Sequence, residues 1–115
     1  MTAQQLVLPH ALLQEAVRDE LYVNKLKGDA HAMIPQYENA RVGDVVVCRV
    51  ETSTGNEWHD TYVLTEALFP LVFVVPKAVF EKNLVPKATA KLGYSVRRTG
   101  KPEEQSPIAL IHLKQ

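Results

Sequence analysis

The stretch that decides the fold class spans residues 44–51 and reads DVVVCRVE. It is rich in β-branched residues, and its second half alternates between apolar and polar positions, which is typical of a strand with one buried face. Val46, Cys48 and Val50 then share the inner face. Turn-forming residues follow at 52–56, so we predict a strand that ends in a tight turn.

Similar patterns recur along the chain about every 10–15 residues, with turn residues between them. From residue 44 onward, helical periodicity is confined to one short turn over residues 77–82, where Val79 and Phe80 would cover the end of the core. Such spacing is typical of an antiparallel sandwich or barrel. The other strands predicted in this part of the chain cover residues 58–65, 71–75, 91–97 and 108–113.

The N-terminal third carries a weaker pattern. Its apolar residues between positions 12 and 17 recur with helical spacing, and periodicity alone predicts a helix that continues to about Leu21. Alternation over residues 29–34 instead predicts a short strand with Ala30 and Ile34 on one side. The residues themselves leave the segment 11–21 open between helix and strand.

Length and composition predict a single domain over residues 1–115, with residues 1–5 as a loose tail. Hydrophobic residues make up 46% of the chain and charged residues 23%, a globular balance that excludes a disordered or disulfide-rich chain. The 13 basic and 13 acidic residues give a net charge of zero. Because nucleic-acid binding usually depends on a broad positive field, we expect no nucleic-acid partner.

Charge is unevenly distributed along the chain. Residues 1–75 hold five basic and ten acidic residues, whereas residues 76–115 hold eight basic and three acidic residues. If the two segments stay apart in the fold, this asymmetry favours head-to-tail or dimeric contacts.

The sequence contains no recognisable export signal or membrane segment. The apolar run 6–8 follows no basic residue and stops at Pro9. The run 67–75 is interrupted by Pro70 and is far shorter than the ~20 residues of a membrane helix. We expect a soluble protein without a membrane span, cytoplasmic by default unless it is exported by a route that needs no classical signal.

Several short motifs occur in a characteristic order. They are Ile34-Pro35-x-Tyr37 followed by Gly43-Asp44, the turn Thr52–Gly55, Trp58-x-Asp60, Phe73-x-Val75-Pro76, and Gly93-Tyr94-x-Val96 ahead of Ser106. In this order the chain resembles, over residues 6–115, an immunoglobulin-like repeat. That repeat occurs in tandem in large bacterial, pseudomonad-type surface and adhesin-like proteins, and here it would stand alone as a single unit.

The resemblance implies an all-β fold: a single Ig-like antiparallel β-sandwich of about seven strands, with at most short helical turns and no catalytic site. It also implies an edge strand over residues 6–17, which we prefer to the helix because an exposed sheet edge needs cover. The connection 65–71 departs from the family pattern, since it is short and lacks a glycine. Tyr94 would be a buried core or corner tyrosine, and the hydroxyl of such a tyrosine often bonds to a nearby loop backbone.

Catalytic and metal-binding patterns are incomplete. The four histidines form no H-x-x-x-H pair, and Cys48 has no second cysteine with which to share a zinc ion. Gly93-Tyr94-Ser95 begins a nucleophile elbow, but Arg97 stands where the elbow needs glycine. We therefore expect no enzymatic activity, no metal and no cofactor, and we expect Cys48 to be a small buried side chain.

One candidate contact site lies on the strand that begins at Trp58. Trp58 and Tyr62 share a face of this strand, roughly 13 Å apart, with Asp60 between them and His59 beside them. The two rings either stack on the sugar rings of a carbohydrate or pack in the core of the sandwich.

A second candidate is the apolar strand 71–75. Phe73 and Val75 match the inward positions of the family, so Val72 and Val74 would face outward. These two valines are either covered by the segment around Leu12 and Leu13 or form a contact surface. The sequence thus predicts a non-enzymatic interaction or structural module that binds a protein partner or itself, with a homodimer or a partner interface that includes this face. The alternative is a small carbohydrate-binding sandwich that uses Trp58 and Tyr62.

Overall fold

A computed structural model, which describes residues 8–115, contains nine β-strands and two short helical turns within that range. The fold class is confirmed as all-β, with two sheets packed around one apolar core. In chain order the elements are β1 (Leu12–Leu13), β2 (Glu20–Tyr22), a 3-10 turn (Val23–Lys25), β3 (Ala30–Ile34), β4 (Val45–Thr52), β5 (Glu57–Val63), β6 (Leu71–Val75), α1 (Lys77–Glu81), β7 (Thr89–Arg97), β8 (Glu104–Gln105) and β9 (Ala109–Lys114).

The smaller sheet has the strand order β1-β3-β6, and the larger sheet has the order β2-β9-β7-β4-β5, with β8 paired to β7. One pair departs from the expected antiparallel arrangement, because β2 runs parallel to β9, with Glu20 opposite His112. A parallel pair needs a long connection, and here nearly the whole chain lies between the two strands. The basic strands β7 and β9 lie between β2 and β4, so the two oppositely charged halves of the sequence are interleaved.

The helix that periodicity predicts over residues 11–21 is wrong. Leu12 and Leu13 instead form the edge strand β1, and the chain then turns back on itself before β2. Arg18 and Asp19 occupy the left-handed region, with φ of 50° and 62°, in a turn closed by paired backbone hydrogen bonds between Val17 and Glu20. Helical backbone is incompatible with these angles. The strand expected over residues 6–17 begins outside the described residues. The predicted tail 1–5 lies entirely outside them.

The core follows the predicted alternation. The inner faces of β4, β6 and β7 are buried, and α1 places Phe80 over one end of the core, as predicted for that turn. Asn56 holds α1 in place, because its Nδ2 donates to the carbonyl oxygens of Val79 at 2.9 Å and Lys82 at 2.8 Å.

Tyr94 is buried, as predicted, and is only 2% exposed. Its hydroxyl donates to the carbonyl oxygen of Pro9 at 2.6 Å, which ties the N-terminal segment to the middle of the larger sheet. Among residues 8–115, no helix has the length and apolar character needed to cross a membrane.

Candidate functional site

The two sheets leave one side of the sandwich open, where the edge strand β5 of the larger sheet faces the edge strand β6 of the smaller sheet. We call this the β5–β6 side. A groove of about 520 Å³ lies between the two strands and is lined by residues 60–62 and 70–74. Asp60, Tyr62, Val72 and Val74 are all part of its lining. The two candidate sites that the sequence treats separately therefore meet in one groove.

β5 is long and open to solvent. Within residues 8–115 it pairs only with β4, and of its seven residues only Trp58 is half-buried, the other six being exposed. Trp58, Asp60 and Tyr62 lie opposite Val50, Cys48 and Val46, so they share one face, as predicted, and it is the inner face. Trp58 packs against the core, whereas the Tyr62 ring is 40% exposed and its hydroxyl lies 3.2 Å from Thr65 Oγ1. His59 faces the opposite side of the sheet, beside Arg49 of β4.

The hydrogen bonds at the two ends of the β4–β5 ladder show which backbone groups of β5 point away from β4. The Thr52 amide donates to the Asn56 carbonyl at 2.9 Å, and the Leu64 amide donates to the Asp44 carbonyl at 2.9 Å. Hydrogen-bonded pairs alternate along an antiparallel ladder, so the even-numbered residues of β5 bond to β4. The backbone N–H and C=O groups of the odd-numbered residues point to the open edge: Glu57, His59, Thr61 and Val63.

The free edge of β6 is more restricted. The Gln14 amide donates to the His31 carbonyl at 2.9 Å, and the His31 amide donates to Glu15 Oε1 at 2.8 Å, so His31 bonds towards β1. The alternate residues of β3 bond to Leu71, Phe73 and Val75, so the backbone groups of Val72 and Val74 point away from β3 and have no strand partner within residues 8–115. Pro70 and Pro76 flank this strand and carry no N–H group, so β6 offers only two free donors.

The outer face of the smaller sheet is apolar and uncovered. Leu12, Met33 and Val72 lie opposite one another across β1, β3 and β6, and Val72 and Val74 are each 51% exposed. The alternative in which Leu12 and Leu13 cover the valines is wrong, because Leu13 is buried in the core and Leu12 lies two strands away and is itself exposed. Val72 and Val74 therefore face outward, as the sequence predicts.

Asp60 is the charged side chain in the lining of the groove. Residues 50–76, which include all of β5 and β6, contain no lysine or arginine. Asp60 lies in the middle of the free edge, and its Oδ1 accepts a hydrogen bond from the Thr61 amide at 2.9 Å. Burial, and secondly the Asp60 charge, raise the pKa of the neighbouring Cys48 thiol to about 12, so the thiol stays protonated at neutral pH.

A buried polar cluster near the groove carries residues to which sequence reasoning assigned no role. Asp44 is buried and accepts hydrogen bonds from the Tyr37 hydroxyl at 2.9 Å and from the Arg41 amide at 3.1 Å. The Tyr37 ring packs edge-on against Phe69, which immediately precedes Pro70 of the groove. Burial, and secondly the bond to Asp44, raise the pKa of Tyr37. The cluster thus anchors the connection that leads into β6. In the sequence, the motif Ile34-Pro35-x-Tyr37 was the feature that could have indicated it.

Within residues 8–115, no three His, Cys, Asp or Glu side chains converge on a point where they could hold a metal ion. Comparisons of the chain with models of protein families, with curated proteins and with solved structures find no match. The function must therefore be argued from the β5–β6 side itself.

Proposed function

We propose that this chain is a non-enzymatic interaction module that binds a protein partner, or a second copy of itself, through the β5–β6 side. The observation that carries the proposal is the combination of two free strand edges with the exposed apolar side chains of Tyr62, Val72 and Val74. Sandwich proteins usually protect their edges and keep outward positions polar, because exposed edges and apolar patches invite association. The resemblance to immunoglobulin-like repeats of bacterial surface proteins supports the same role.

The test compares three single variants of similar exposure. Val72→Lys and Val74→Lys change the proposed contact, and Val85→Lys changes a loop residue that is 52% exposed, close to the 51% of the two valines. We expect Val72→Lys and Val74→Lys to weaken association, measured by sedimentation over a range of concentrations or against an isolated partner. Val85→Lys should not weaken it, and none of the three should lower the free energy of unfolding by more than about 0.5 kcal/mol.

The opposite result contradicts the proposal. A chain that stays monomeric, with Val72→Lys and Val74→Lys variants that unfold much more easily than Val85→Lys, would show that the two valines serve folding and not contact.

Carbohydrate binding is the second candidate, because Trp58, Asp60 and Tyr62 share one face of β5. The chain has a single tryptophan, so its fluorescence reports on Trp58 alone. Sugar binding predicts that oligosaccharides change this emission and shield it from a soluble quencher. The Tyr62→Ala variant should abolish the effect. An emission that no sugar changes would contradict this candidate.

A further inference from the structure

We propose that the partner is an extended, basic segment of another protein that adds a strand to the free edge of β5. This inference rests on the proposed interaction function and names the chemistry of what the β5–β6 side would bind. Strand addition uses backbone hydrogen bonds for affinity and alternate side chains for selectivity.

The backbone favours β5 over β6 as the template. β5 has seven residues, lacks proline and pairs with β4 in continuous register from Glu57 to Val63. Its open edge carries the backbone groups of four residues, whereas β6 is flanked by prolines and offers those of two. An incoming strand therefore gains a longer ladder on β5.

The groove sets the side-chain pattern of the partner. Alternate side chains of a strand added to β5 would point to the inner face, towards the groove wall that includes Tyr62 of β5 and Phe73 of β6. Apolar side chains at these positions would bury that wall. The side chains between them would continue the solvent-facing surface of the larger sheet, where polar residues fit.

The negative charge of Asp60 favours a partner that carries positive charge. Asp60 now accepts from the Thr61 amide, one of the groups that point to the open edge. When a carbonyl oxygen of the added strand takes over this donor, the Asp60 carboxylate is released and can pair with a lysine or arginine of the partner. A second copy fits less well, because pairing β5 with β5 would bring Glu57 and Asp60 of two molecules together, and β5 itself contains no lysine or arginine.

The experiment uses synthetic peptides of about eight residues, a typical strand length with a margin. One peptide alternates valine and threonine around a central lysine, and its matched control carries glutamate in place of the lysine. Binding to the full chain is followed by NMR, with the amide signals of Glu57, His59 and Val63 as reporters of the edge. We expect the lysine peptide to bind about tenfold more tightly than the glutamate peptide.

Two variants test the origin of the preference. Asp60→Lys should reverse the order of the two peptides. Glu51→Lys makes the same charge change on an exposed position of β4 whose side chain points away from the groove, and it should leave the order unchanged. N-methylation of the peptide amides that face β5 should abolish binding, whereas N-methylation of the alternate amides should preserve it.

Three results would overturn the proposal: equal binding of the two peptides, indifference to the position of the N-methyl groups, or no binding at all. Loss of self-association in Asp60→Lys without any peptide binding would identify a second copy as the occupant and would also refute it. The proposed interaction function is tested separately, by the effects of Val72→Lys and Val74→Lys on association.

Discussion

Tyr94 offers the sharpest test of how the N-terminal segment is held. Its hydroxyl donates to the Pro9 carbonyl at 2.6 Å, across 85 residues of sequence, and its ring is buried between the two sheets. Tyr94→Phe keeps the ring and removes only this bond. A hydrogen bond of this kind contributes about 1 kcal/mol to the free energy of unfolding, and Pro9 is only half-buried, so water can partly satisfy the carbonyl left behind.

We therefore expect Tyr94→Phe to lower the free energy of unfolding by about 1 kcal/mol, which corresponds to a drop in Tm of about 4 °C for a domain of this size. Tyr94→Ala should cost about 3–5 kcal/mol, because it also leaves a cavity. Urea unfolding followed by fluorescence measures both values. Exchange of the Gln14 amide, which donates to the His31 carbonyl, should accelerate in Tyr94→Phe more than exchange in β4 does, since the lost bond anchors the N-terminal segment.

The control is Tyr62→Phe, which removes a hydroxyl that is exposed and lies 3.2 Å from Thr65 Oγ1. Its free energy of unfolding should stay within about 0.5 kcal/mol of the parent. If Tyr94→Phe behaves like Tyr62→Phe in both stability and exchange, the Tyr94–Pro9 bond does not hold the segment and the reasoning is refuted.

Two further predictions concern titration. Burial raises the pKa of Tyr94 to about 12, and burial together with Asp44 also raises that of Tyr37, so the folded chain binds more protons than the unfolded chain above pH ~10. Stability should be unaffected by these groups below pH ~10 and should fall as the pH rises towards 12, less so in Tyr94→Phe; a parent and variant with the same alkaline loss would contradict this. Cys48, whose pKa burial raises to about 12, should resist alkylation in the folded chain at neutral pH and react in denaturant, and because burial is the larger cause, Asp60→Asn should leave it nearly as inert.

The sequence was informative wherever one face of a strand is buried. Alternation in β4 and β7 placed their inner residues correctly, since a shift of one residue would exchange the buried and exposed faces. The same logic placed Val72 and Val74 outside and Tyr94 inside. These properties depend on local periodicity, which a single sequence carries.

The N-terminal segment shows where this logic ends. Arg18 and Asp19 adopt left-handed backbone angles, and the turn contains neither glycine nor asparagine, the residues from which such a turn is usually predicted. β2 has only three residues, and it is placed by pairing with β9 at the other end of the chain. No window of sequence contains both partners, so helical spacing between positions 12 and 17 was the strongest local signal, and tertiary pairing overrode it.

The individual residues of the candidate site could be predicted from the sequence, but their proximity in one groove could not. Tyr62 and Val72 lie in different sheets, and they share a groove because β5 and β6 each end the strand order of their sheet on the same side. Strand order is a property of the whole topology, so alternation cannot reveal it. Once β5 and β6 are known to be neighbours, the prolines that flank β6 and the absence of proline from β5 together indicate which edge can accept a strand. Pro70 and Pro76, which have no N–H group to donate, protect the edge of β6 against strand addition. On the edge of β5, the Asp60 carboxylate accepts from the Thr61 amide, and a basic partner would draw the carboxylate away from that amide.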